Sequence, residues 1–128
     1  MKKEEIQALI EKQRLYYLSG ETLDVQYRIN ALKTLKTAIL KYEQEIEEAL
    51  KKDLGKSYFE SYMCEVGLSL SEISYMIKHT HSFSKEKRVR TPLAQYVSRS
   101  YTKPSPYGVT LIMSPWNYPF MLTIEPLA

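Results

Sequence analysis

The sequence predicts an α/β fold, mainly α-helical over residues 3–82, followed by two β-strands at about 95–103 and 109–113 and the start of a further helix. Three observations carry this. Apolar residues recur by threes and fours from Ile29 to Leu50, the spacing of one helix face. After Thr91-Pro92 the composition turns to β-leaning residues: Tyr96, Val97, Tyr101 and Thr102. Val109 to Met113 is then an unbroken apolar or β-branched run, suited to a strand covered on both faces.

The elements follow in order. Lys3 to Leu18 reads as an amphipathic helix with Ile6, Leu9, Ile10, Tyr16 and Tyr17 on or near one face, stopped by Ser19-Gly20. Asp24 is a candidate N-cap, because its carboxylate can accept the unpaired N–H groups of a helix start. The Ile29, Leu32, Leu35, Ile39, Tyr42, Ile46 and Leu50 series suits one helix of roughly 40 Å or two shorter ones. Its opposite face, with Lys33, Lys36, Glu43, Glu47 and Lys51, reads as solvated. Gly55 closes that element, and Ser57 is a cap for a helical stretch reaching about Ser82. Gly67 costs about 1 kcal/mol relative to alanine inside a helix, which suggests a close helix crossing. Lys85 to Arg90 is a basic connector. Leu93 to Lys103 reads as an exposed or edge strand, pairing with Val109 to Met113 through the Pro104-Ser105-Pro106-Tyr107-Gly108 turn.

Composition excludes several classes. A chain of 128 residues, 44% hydrophobic and 26% charged, is ordinary for one soluble domain. The net charge of +3 is too small and dispersed to argue for nucleic acid. A single cysteine rules out an internal disulfide and fits a reducing, cytoplasmic setting. No apolar run reaches the length of a membrane span, and no membrane anchor is visible in this stretch. Eleven tyrosines suggest half-buried faces where a ring packs and its hydroxyl stays wet.

The most specific stretch is Pro104 to Pro119. Pro115 and Pro119 bias Ser114 and Tyr118 away from the α region, so Trp116 and Asn117 are held in a rigid loop at the carboxyl end of a strand. In open α/β sheets ligands bind at that edge. Pro115-Trp116-Asn117-Tyr118-Pro119 resembles the loop ending the first nucleotide-domain strand of the aldehyde dehydrogenase superfamily. Asp53-Leu54-Gly55-Lys56, Glu60, Glu65-Val66-Gly67 and Thr91-Pro92-Leu93 resemble its class-3 or fatty-aldehyde branch. The likeness runs in order over nearly the whole chain and matches the beginning of that family's longer polypeptide.

The resemblance implies three parts: residues 1–92 as the helical beginning of the nucleotide-binding domain, 93–108 as a bridging or oligomerisation strand and turn, and 109–128 as the first strand and helix start of the nucleotide-binding sheet. It suggests a break near Tyr42. It implies NAD- or NADP-dependent oxidation of aldehydes to carboxylic acids through a cysteine thiohemiacetal and thioester. Asn117 would be the catalytic amide that helps hold the oxyanion, and Ile112, Met113, Ser114, Pro115 and Trp116 would line the cofactor cleft. The family's nucleophile, general base and glycine-containing cofactor loop match nothing in these residues. The expectation is a homo-oligomeric parent enzyme acting on an aldehyde, with neither turnover nor cofactor binding by this stretch alone.

Other residues carry less. Cys64 stands in a helical stretch without a nucleophile motif and reads as a half-buried inert thiol. His79 and His81 lack helical i, i+4 spacing and acidic company, so no metal site is expected; the helix C-terminus accounts for them. Lys85, Lys87, Arg88 and Arg90 read as a solvated linker rather than a lipid or nucleic-acid patch. A stand-alone helical interaction module without catalysis remains the alternative from a different class.

Overall fold

The computed structural model describes residues 2–128. Helices α1 (Lys3–Leu18), α2 (Val25–Lys41), α3 (Glu43–Leu54), α4 (Tyr58–Ser61) and α5 (Gly67–Phe83) precede a short antiparallel ribbon, β1 (Lys87–Val89) and β2 (Ser100–Thr102), and α6 (Met121–Leu127) ends the chain. The caps are those the sequence predicts. The Asp24 carboxylate accepts from the Gln26 and Tyr27 amides at 3.1 Å each, and the Ser57 hydroxyl accepts from the Glu60 amide at 3.1 Å. Gly55 takes the left-handed conformation (φ 70°) that ends α3 and reverses the chain toward α4. The long helical series breaks at Tyr42 (φ −105°, ψ 16°), giving two helices rather than one.

The core lies where α2 crosses α5. Leu32, Ile39, Val66, Leu70 and Ile73 are buried together, and Phe120, Ile124 and Ala128 from the end of the chain pack onto them. By contrast α1 buries no residue. Two tyrosines tie it down: Tyr16 and Tyr27 share a 2.5 Å hydrogen bond, and the Tyr17 hydroxyl donates to the Pro106 carbonyl at 3.1 Å. Gly108, at φ 98°, lies against the Tyr17 ring, where a Cβ would sit 3.4 Å from a ring carbon.

The mainly helical architecture with two strands matches the predicted class, but the strands pair differently. Val109 to Met113 is not a strand, and Leu93 to Gln95 forms a single 3₁₀ turn. Only Ser100–Thr102 of the predicted 95–103 strand is extended in a ladder, and its partner is the stretch read as a basic connector. The register sets Lys87 against Thr102, Arg88 against Tyr101 and Val89 against Ser100. Lys87 and Arg88 project from an exposed ribbon, where charge is tolerated and discourages further pairing. The 109–113 run fails as a strand because nothing here offers its backbone a ladder; an extended apolar segment needs neighbours on its hydrogen-bonding edges.

Gly67 also differs from expectation. Between α4 and α5 the helix widens into a π-turn, Tyr62–Val66, and the Gly67 amide bonds to the Tyr62 carbonyl. The close approach at Gly67 is therefore to its own chain, since an added Cβ would lie 2.9 Å from that carbonyl oxygen. Alanine should be destabilising here by about 1–3 kcal/mol, despite its better helix propensity. A lower denaturation midpoint for Gly67→Ala in urea checks this, and a higher one would refute it.

The Tyr16 phenol is raised above the ordinary value of about 10, first by its hydrogen bond with Tyr27, then by desolvation and by repulsion from Tyr27 and Glu21. A raised phenol favours the protonated, folded form. Its contribution to holding α1 is therefore complete below pH about 10 and lost as pH climbs through the raised value. Following the Tyr16 ring carbon by NMR against pH should show a late titration that moves earlier in Tyr27→Phe.

Candidate functional site

The loop carrying Asn117 is held by two buried charges of opposite sign. Lys56 sits between the left-handed Gly55 and the capping Ser57, a bend that turns its side chain inward; it is 8% exposed. Glu65 lies in the π-turn and is 0% exposed. The Lys56 ammonium donates to Glu65 Oε1. It also donates to the Asn117 carbonyl at 3.2 Å and stands 4.1 Å from the centroid of the Tyr118 ring. Glu65 Oε2 accepts from the Phe120 amide at 2.9 Å and from the Met121 amide at 3.3 Å.

Each charge is thus paired, and each carries further hydrogen bonds to the main chain of the loop and of α6. Glu65 does for α6 what a capping side chain does, since the N-cap residue Phe120 offers none. Thr123 completes the attachment: its hydroxyl donates to the Pro119 carbonyl at 2.6 Å and shares a 2.7 Å hydrogen bond with the Ser114 hydroxyl. The chain from Ser114 to Met121 is therefore fixed at both ends, with Pro115 and Pro119 limiting φ inside it. Asn117 itself is exposed, and its backbone carbonyl faces the ammonium. That geometry suits an N–H donor offered to a group outside the loop.

Of the other residues singled out from sequence, Ile112 is half-buried, whereas Met113 and Trp116 are 84% and 83% exposed. Ser114 reaches Thr123, and Pro115 lies in the exposed part of the loop. Ser114 to Asn117 are brought together at the start of α6; Ile112 and Met113 lead into them along an irregular segment rather than a strand. Cys64 is half-buried in the π-turn. His79 bonds to the Tyr75 carbonyl through Nδ1 and stacks on the Tyr75 ring, and no metal-binding cluster occurs among the described residues. No described helix is long and apolar enough to cross a membrane.

The sequence pattern gives Lys56 and Glu65 no role of their own. The available signal was a carboxylate beside Val66 on a helical stretch otherwise spaced for burial. Its partner is not legible in the pattern, because Lys56 lies nine residues earlier, on the far side of the Ser57 cap and of α4.

The sequence profile of the Aldehyde dehydrogenase family matches residues 1–128. The chain belongs to the aldehyde dehydrogenase family. Its relatives include the 4,4'-diaponeurosporen-aldehyde dehydrogenase of Staphylococcus aureus, 42% identical over 89% of this chain and 25% of that protein. The dimeric NADP-preferring aldehyde dehydrogenase of Canis lupus familiaris is 37% identical over 95% of this chain and 27% of that protein. Several similar proteins are aldehyde dehydrogenase family 3 members, among them member A2 of Pongo abelii at 35% identity. The fold agrees with a solved structure described as the substrate-bound state of Staphylococcus aureus AldH, at a TM-score of 0.91 and 39% identity over 99% of this chain and 27% of that one. The chain thus spans about a quarter of the length of the aldehyde dehydrogenases it matches.

In this aldehyde dehydrogenase chain the buried pair should dominate local stability. Lys56→Met leaves the Glu65 carboxylate buried without its counter-charge, an arrangement that typically costs about 3–5 kcal/mol. Chemical denaturation of Lys56→Met measures this directly; a loss below about 1 kcal/mol, the scale of an exposed pair, would show the pair to be solvent-relaxed.

Proposed function

We propose that these residues are the N-terminal portion of an NAD(P)-dependent aldehyde dehydrogenase that oxidises aldehydes to carboxylic acids, with Asn117 as a donor to the oxyanion. The observation that carries this reading is the fixed Pro115–Pro119 loop, in which Asn117 is exposed and its backbone held, in a chain whose residues 1–128 the family profile matches. The chemistry asks for such a group. When a thiolate adds to an aldehyde, the carbonyl oxygen becomes negative on a tetrahedral carbon. An amide N–H stabilises that oxygen without titrating, and does so best when its position is set before reaction.

In this reading the thiolate and the general base come from outside these 128 residues, so the residues alone carry no turnover. Cys64, half-buried on helical backbone, is not assigned the nucleophile's role. Ile112 to Trp116 would form one apolar wall of the cofactor cleft, and the exposed Met113 and Trp116 side chains fit that use. NAD(P), when bound, supplies the hydride acceptor. No glycine-rich phosphate cradle stands among these residues, so their contribution is contact with apolar parts of the cofactor and orientation. For the complete enzyme, residues 1–92 are read as the helical beginning of the nucleotide-binding domain and 93–108 as the bridging strand and turn. Residues 109–128 are read as the first strand and helix start of its sheet, with 109–113, irregular here, becoming a strand only where neighbouring strands take up its backbone groups. A dimeric, cytoplasmic enzyme is the corresponding expectation, supported by the dimeric relative and the single thiol.

In the complete enzyme Asn117→Ala should lower kcat by about 10²–10³ and leave the denaturation midpoint nearly unchanged, since the side chain is exposed. Wild-type turnover, with chemistry shown to be rate-limiting by a deuterated-aldehyde isotope effect, would refute the oxyanion role.

A further inference from the structure

We propose that Lys56 and Glu65 are positioning residues for Asn117: as a buried ion pair they fix the backbone from which the Asn117 amide is presented. This rests on the oxyanion reading of Asn117 and extends it to two residues far from the loop in sequence.

The geometry carries it. An asparagine side chain turns about only two torsions, so the place of its amide nitrogen is set mainly by its backbone. Asn117 is exposed, so burial of its side chain does not hold it. Its position depends on what grips the main chain on either side. Lys56 grips the Asn117 carbonyl itself at 3.2 Å, and its charge rests 4.1 Å from the centre of the next residue's ring. Glu65 grips the amides of Phe120 and Met121, three and four residues further on. Pro119 stands between the two grips with its φ already fixed. The ammonium and carboxylate are bonded to one another, so the two grips form a single unit rooted in the π-turn and the Gly55 bend.

A pair that served only to hold α3 to α5 would need neither the Asn117 carbonyl nor the Phe120 and Met121 amides. Both partners instead spend their remaining hydrogen bonds on the main chain around Asn117. The pair is also neutral as a whole, so it anchors the loop without adding net charge near a developing oxyanion.

The test is a set of variants in the complete enzyme, with kcat, KM for aldehyde and denaturation midpoint measured for each. Lys56→Met should lower kcat by about ten- to a hundredfold, the scale of a displacement near 1 Å, with KM little changed. Lys56→Met/Glu65→Gln removes both charges together and avoids a bare buried carboxylate, so it keeps the comparison possible if Lys56→Met does not fold. Glutamine retains an acceptor for the α6 amides while the tether to the Asn117 carbonyl is lost, and kcat should fall as in the single variant. In an Asn117→Ala background either change should cost less than about threefold in kcat, because the group being positioned is gone. If the losses multiply while Asn117→Ala keeps its own effect, the pair acts independently of Asn117 and the proposal alone is overturned. If Asn117→Ala has no effect, the oxyanion reading fails and takes this proposal with it. Wild-type kcat in Lys56→Met/Glu65→Gln overturns the proposal whatever the stability.

Discussion

A carboxylate that is fully buried must be paired and hydrogen-bonded, and most of the local architecture follows from satisfying Glu65. The π-turn inserts one extra residue between α4 and α5 at this point, and π-turns are rare enough that a local cause is expected. Gly67 makes the widened turn sterically possible, because a Cβ there would press on the Tyr62 carbonyl. The Gly55–Lys56–Ser57 bend brings in the counter-charge between two helix caps. The start of α6 supplies two further donors, and in doing so docks Phe120 and Ile124 onto the α2–α5 core. Loop, helix end and core thus meet on one side chain.

Away from that point the molecule is open. Helix α1 has no buried residue, and the segment from Leu93 to Met113 leaves Leu93, Val97, Leu111 and Met113 exposed. An apolar stretch such as Val109–Met113 becomes a strand when neighbouring strands take up its amides and carbonyls; apolar character alone does not extend it. The same residues remain suited to a strand wherever such neighbours exist.

What was legible in the sequence was mostly local. Asp24, Ser57, Gly20 and Gly55 announced helix ends because capping depends on one side chain or one backbone conformation within a few residues. The break at Tyr42 was invisible to periodicity, since Ile39 and Ile46 keep a helical spacing across it. The β1 strand was hidden by its charges: Lys-Arg-Val reads as a connector, and only the distant Ser100–Thr102 segment makes it a strand. The Pro115–Pro119 loop was legible from its own prolines and from the family likeness. Its support was not, because Lys56 reaches Asn117 across sixty-one positions and no spacing rule spans that distance.

The use of charges rather than apolar packing at this point has a physical reason. Replacing a buried ion pair with apolar residues of similar volume is often neutral or stabilising elsewhere. Here such a replacement would leave the Phe120 and Met121 amides and the Asn117 carbonyl short of partners in a partly buried setting, each loss costing about 1–3 kcal/mol. Apolar contacts are also non-directional, so they could hold the loop near the core without setting its rotation. A carboxylate with two oxygens and an ammonium with three donors can instead address several main-chain groups at defined angles. The pair therefore gives the Asn117–Met121 segment a backbone with little freedom to turn.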